Sequence, residues 1–120
     1  MSELHTFALE QAADAVIVID KEGIIRIWNA AATRLFEYSA DEAINQNVDL
    51  IIPERLREAH WRGFSNAMSA GKTRLGGVPT RTRALCKSGS KLYVQMSFAV
   101  VRDATGQSVG AVAMARRLED

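Results

Sequence analysis

The sequence predicts an α+β fold, an antiparallel sheet of about five strands with several helices laid across one face. Three observations lead there. Two short β-branched runs flank a glycine-containing turn near the start, the middle of the chain carries helical spacing and capping signals, and the last third alternates apolar and polar residues.

The elements follow in order. Leu4, Phe7, Ala8 and Ala12 sit at helical spacing and predict a lead-in helix over residues 4–13. The runs Ala15-Val-Ile-Val-Ile-Asp20 and Ile24-Ile-Arg-Ile-Trp28 read as two strands, joined by Lys21-Glu22-Gly23 into a hairpin. Asn29 is a good N-cap for a helix over Ala30–Phe36, because its side-chain oxygen can accept an early backbone N–H. Ser39 and Glu42 form a capping box for another short helix. After Val48-Asp-Leu-Ile-Ile52, Pro53 stands at the first turn of a longer helix that runs to about Ala70 and stops at Gly71. Strands over 80–87, 91–102 and 108–117 complete the pattern, with turns at Ser88-Gly89-Ser90 and Asp103-Ala-Thr-Gly106. In the middle one, Leu92, Val94, Met96, Phe98 and Val100 share the face that must pack on the helices.

Composition narrows the function. At 120 residues the chain has room for one core. Its 15 basic and 14 acidic residues are interspersed, which argues against a dedicated nucleic-acid or membrane surface. The basic stretch Lys72, Arg74, Arg81, Arg83 and Lys87 lacks interleaved aromatics for base stacking and reads as a solvated loop and strand face. Cys86 is the single cysteine, so no internal disulfide and no thiolate zinc site can form; it reads as a small buried hydrophobe near a pocket rim. No run is long and apolar enough to span a membrane and no secretory signal opens the chain, so a cytoplasmic setting is expected.

No enzyme is expected. Gly71-Lys72-Thr73 matches the end of a phosphate-binding loop, but Asn66 stands where the first glycine belongs and the triplet follows a helix rather than opening one. With only His5 and His60 present, no nucleophile–base–orienter set assembles. Asp49, Glu54 and Glu58 lie around a helix start, where they offset its dipole.

The order and the residues together resemble the PAS (S-box) sensory domain family over nearly the whole chain. Asp14-Ala-Val-Ile-Val-Ile-Asp20 with Gly23-Ile-Ile-Arg-Ile-Trp-Asn29 is similar to the PAS opening hairpin. Ala30-Ala-Ala-Thr-Arg-Leu-Phe-Glu-Tyr-Ser39 resembles the helix that follows, and Asp49-Leu-Ile-Ile-Pro-Glu-Arg-Leu-Arg57 the entry to the long helix. Lys87-Ser-Gly-Ser90 is similar to the turn between the first two late strands. The resemblance implies a lead-in helix over 1–13 and a PAS domain over 14–118. Many PAS domains end in Asp-Ile-Thr, which couples the last strand to a signalling helix; Arg117-Leu118-Glu119 stands here instead, which puts coupling to an attached effector in doubt.

His60 shares a partly apolar helix face with Leu56, Phe64 and Ala67, and reads either as a half-buried structural histidine or as a ligand. Ile52-Pro-Glu-Arg-Leu-Arg-Glu-Ala-His60 resembles the segment that supplies the proximal iron ligand in haem oxygen-sensing PAS domains. That resemblance implies His60 as an axial haem ligand. Val78 matches the position of a methionine second ligand, and Thr80, with Arg81 beside it, that of an arginine that holds oxygen or the haem propionates. A five-coordinate iron, or one capped by Met96, is the expectation. Trp28 reads as an aromatic sealing helices to sheet, or as a neighbour of a flavin ring, as some PAS domains imply.

The expected cavity lies between Met96, Phe98 and Met114 on the sheet and Leu56, His60 and Phe64 on the long helix. Its occupant is haem, a flavin or a colourless metabolite. A different expectation is a ligand-free interaction module, dimerising through the lead-in helix and the outer sheet face. In either case the expected partners are a second copy and an effector domain or protein.

Overall fold

Antiparallel pairing of all five strands organises the molecule. The computed structural model describes residues 2–73 and 76–118. Met1 of the lead-in segment, Arg74 of the basic stretch and Glu119 of the C-terminal match lie outside the described residues. The elements run α1 (Ser2–Gln11), β1 (Ala15–Asp20), β2 (Ile25–Trp28), α2 (Ala30–Phe36), α3 (Ala40–Ala43), a 3-10 turn (Val48–Ile51), α4 (Glu54–Ala70), β3 (Thr80–Leu85), β4 (Lys91–Arg102) and β5 (Ser108–Arg117). The sheet order is β2-β1-β5-β4-β3. The first hairpin thus occupies one edge, and β5 returns to the centre between β1 and β4.

The alternation of β4 sets the two faces. Val94 and Met96 are buried on the inner face, whereas Gln95 is exposed on the outer one. In β5 the register pairs Met96 with Ala115, Phe98 with Ala113 and Val100 with Ala111, so alanines fill the inner positions. The next strand supplies Ile17 against Ala113 and Ile19 against Ala111. Phe36, Ile17, Ile25 and Val94 are among the largest fully buried side chains. Fully burying an aliphatic or aromatic side chain of this size is worth about 1.5–3 kcal/mol.

Asn29 is buried and makes four hydrogen bonds. Its Oδ1 accepts from the backbone N–H groups of Val16, at 2.9 Å, and Ala32, at 3.0 Å. Its Nδ2 donates to the carbonyls of Leu9, at 2.9 Å, and Asp14, at 3.1 Å. One amide therefore caps α2 and also joins α1 and the start of β1. Only the cap was expected from the sequence.

Helix α4 is anchored at its start without a side-chain cap on Pro53. Arg57 does that work, with Nε donating to the Ile52 carbonyl at 2.9 Å and Nη2 to the Asp49 carbonyl at 3.2 Å. The helix ends where Gly71 adopts φ 75° and its N–H reaches the Ala67 carbonyl. No α4 residue is fully buried, so this helix covers the inner sheet face loosely.

Three expectations shift in detail. The lead-in helix ends at Gln11 rather than Ala13, because the chain must turn to present the Leu9 and Asp14 carbonyls to Asn29. Strand β3 ends at Leu85, since the Lys87 N–H is taken by the Phe36 carbonyl. Cys86 is buried at 2% exposure with Sγ 3.5 Å from the Leu35 carbonyl, so it belongs to the α2 side of the core and not to the rim of the cavity described below. Burial, reinforced by the charge of Glu37, pushes its thiol pKa up.

Two outcomes follow. Asn29→Ala strands the Val16 N–H and removes the α2 cap; urea denaturation is expected to show a loss of about 2–4 kcal/mol. Cys86 is expected to resist iodoacetamide at neutral pH and to react once the chain unfolds, as mass spectrometry of native and denatured protein can read.

Candidate functional site

The inner sheet face and α4 enclose a cavity of about 490 Å³. Small side chains create it. Strand β5 contributes Ala111 and Ala113, and α4 turns Ala59, Gly63 and Ala67 toward the same space. Around them stand Ile17 and Ile19 of β1, Val48 and Ile51 of the 3-10 turn, and Met96, Phe98 and Val100 of β4. The lining is mostly apolar, and its size and chemistry are those of a small-molecule site.

Polar groups are few. Thr73, Thr80 and Thr82 reach the lining from β3 and the loop before it. The Thr80 and Thr73 hydroxyls donate weakly, at 3.5 Å, to the carbonyls of Met96 and Phe98. Arg83 also contributes to the lining, but its guanidinium carbon lies 4.6 Å from the Tyr93 ring centroid. Arg81, opposite Gln95, has its own guanidinium 3.8 Å from that centroid. Strand alternation places Arg81 on the outer face, so it does not stand beside Thr80 at the cavity.

His60 lines the cavity from α4. Its ring lies 4.8 Å from Trp61, edge to face at 79°, and 6.4 Å from Phe64, nearly parallel at 13°. Its Nδ1 is enclosed and, among the described residues, has no hydrogen-bond partner. Burial lowers the imidazole pKa below its ordinary value, while the charge of Asp49 raises it less. The ring is therefore held neutral, which is the form that can bind a metal. Among the described residues no group of three or more His, Cys, Asp or Glu is placed to hold a metal ion.

Of the residues named from the sequence, Leu56, His60, Phe64, Val78, Thr80, Met96 and Phe98 all border this cavity. Val78 is 60% exposed and stands at its mouth. Two do not belong. Met114 pairs with Ser97 and points to the outer face, 44% exposed, because its neighbours Ala113 and Ala115 take the inner positions. Trp28 is buried elsewhere, 5.7 Å from the Phe36 ring, with Nε1 donating to Thr33 Oγ1 and the Tyr38 carbonyl, both at 3.1 Å. It seals α2 to the sheet.

Sequence reasoning placed Ala67 on the His60 face but missed the alanine row of β5 and, on α4, Ala59 and Gly63, although the spacings of two and four were there to be read. It also missed Trp61, whose Nε1 donates to Asp49 Oδ1 at 2.8 Å. Asp49 thus has a specific partner beyond the helix dipole. Arg117, which replaces the usual aspartate, lines a separate shallow cleft of about 280 Å³ with Arg34 and Glu37.

Comparison with known proteins agrees with this architecture. The chain is 49% identical over 96 residues to the sensor protein FixL of Bradyrhizobium diazoefficiens, covering 80% of this chain and 18% of that protein. It is 31% identical over 94 residues to the oxygen sensor protein DosP of Escherichia coli, covering 78% of this chain and 12% of that protein. It therefore spans less than a fifth of either relative. A PAS domain structure from Colwellia psychrerythraea superposes with a TM-score of 0.84 at 24% identity, covering 98% of this chain and 96% of that one. The model of the PAS fold matches residues 6–118, and the chain belongs to the PAS family.

Proposed function

We propose that this sensory domain takes haem into the His60 cavity, with His60 as the axial ligand. The observation that carries the reading is His60 on the wall of a mostly apolar cavity of about 490 Å³, where burial favours the neutral imidazole. The resemblance of the segment ending in His60 to haem oxygen sensors supports it, as does similarity to a protein named as an oxygen sensor.

The residues present fit the group. Ile17, Ile19, Leu56, Phe64, Met96 and Phe98 offer apolar contact to a macrocycle, and His60 offers the one strong donor atom. When bound, haem supplies an iron centre able to take a diatomic gas. The chain's own part is to hold the imidazole neutral, exclude water with apolar walls and present Thr80 and Thr82 hydroxyls as the nearby polar groups. With threonine at the position matching an arginine, polar stabilisation of the gas is weaker. Signalling requires that ligand bind two states of the domain unequally. The domain binds and does not catalyse, and its output passes to an effector domain or protein.

The lead-in helix and outer sheet face form the second part of the proposal, a homodimer contact. Leu4 at 74% and Phe7 at 57% exposure on α1, with Met114 on the outer sheet face, leave apolar surface that a second copy would cover. A flavin or a colourless metabolite is the alternative occupant, and spectroscopy separates the three.

Three measurements test this. Protein reconstituted with haem is expected to show a Soret band that is lost or moved in His60→Ala; an unchanged band would sink the assignment. Ala113→Leu, which fills the cavity from β5, is expected to keep the fold by circular dichroism and to abolish uptake of haem. Sedimentation velocity of Leu4→Glu/Phe7→Glu is expected to show a monomer where the unmodified chain sediments as a dimer.

A further inference from the structure

Trp61 is held on three sides. Its ring lies over Gly23 so closely that a Cβ there would stand 2.0 Å from Cη2 and 2.6 Å from Cζ3. Its Nε1–H is bonded to Asp49 at 2.8 Å. Its ring plane meets Phe64 at 90° with centroids 5.4 Å apart. Contact with the flat ring requires the absence of a side chain at position 23, and Gly23 also needs its φ of 81° to make the turn between β1 and β2. The fourth neighbour of Trp61 is His60.

We propose that Trp61 is the positioning residue of the His60 imidazole, and that by filling the space over Gly23 and engaging Asp49 it denies His60 Nδ1 a hydrogen-bond acceptor. The imidazole forms a triangle with two rings that are held differently, its centroid 4.8 Å from Trp61 and 6.4 Å from Phe64. Phe64 is held by packing alone, whereas Trp61 is bonded to the 3-10 turn and wedged against the hairpin. Rotation of the imidazole about its Cβ–Cγ bond must displace Trp61, and Trp61 cannot move without breaking the Asp49 bond. The hairpin turn is thereby coupled to the orientation of a side chain on α4.

The second half of the proposal concerns a bound metal and rests on the axial-ligand reading of His60. A metal-ligating histidine usually donates its other ring N–H to a carboxylate, a carbonyl or water, and this raises its basicity. Here Asp49, the carboxylate whose charge acts on His60, directs Oδ1 to Trp61, and among the described residues Nδ1 meets no acceptor. His60 is therefore a weaker electron donor than a histidine with such a partner, which favours the reduced metal.

Haem-free protein with ¹⁵N-labelled histidine tests the first half. His60 is expected to hold a fixed ring orientation and one tautomer in the unmodified chain, and to average over both in Trp61→Ala. Gly23→Ala, which touches no atom of His60, is expected to move the Trp61 indole resonance and the His60 ring resonances together. Trp61→Phe keeps a ring but loses the Asp49 bond, and is expected to fall between. Unchanged His60 resonances in Gly23→Ala and Trp61→Phe overturn the positioning role, even if Trp61→Ala fails to fold. In haem-loaded protein, Trp61→Ala admits water to Nδ1; the iron–histidine stretching frequency is expected to rise and the reduction potential to fall. The absence of both shifts overturns the second half. Failure of the unmodified protein to bind haem removes the axial-ligand reading and the second half with it, and leaves the first half to the NMR result.

Discussion

Asn29 joins parts of the chain that could otherwise drift apart. Its amide takes four hydrogen bonds in a buried position, two as acceptor from Val16 and Ala32 and two as donor to Leu9 and Asp14. A buried amide left half satisfied costs about 1–3 kcal/mol per missing bond, so the arrangement holds only when all three segments are in place. The site depends on this at one remove. Ile17 and Ile19 line the cavity because β1 is registered against β5, and the same strand start is bound by Asn29.

The cavity is a consequence of volume. A five-stranded sheet with large residues on every inner position would fill the space beneath α4, as closely packed interiors do. This one places alanine at three successive inner positions of β5, and α4 answers with Ala59, Gly63 and Ala67. Three rings border the void, those of Phe64, Phe98 and His60. Helix α4 is amphipathic but has no fully buried residue, which is the signature of a helix roofing a space rather than completing a core.

Much of this was legible in the chain. Strand alternation and capping chemistry are local, so the hairpin, the α2 cap, the capping box at Ser39 and the extent of α4 follow from short segments. The face of β4 was readable too, and with it Met96 and Phe98. Met114 was misplaced because the parity of β5 relative to β4 is a matter of register, and one residue of register turns every side chain to the opposite face. Trp28 was ambiguous because an indole with a buried N–H suits a core seal and a ligand site equally; its bonds to Thr33 and Tyr38 decide for the seal.

Local chemistry therefore specified the order of elements and the helix that carries His60, and the resemblance of several short segments pointed to the family. Folding in three dimensions decided what surrounds that histidine. Gly23, Asp49 and Trp61 are far apart in the chain, and each has an adequate local explanation as a turn glycine, a dipole partner or a helix aromatic. Only when the hairpin closes against α4 does the missing side chain of one make room for the ring of another, with the carboxylate of the third fixing its angle. Such contacts depend on long-range packing, which no local pattern of residues encodes.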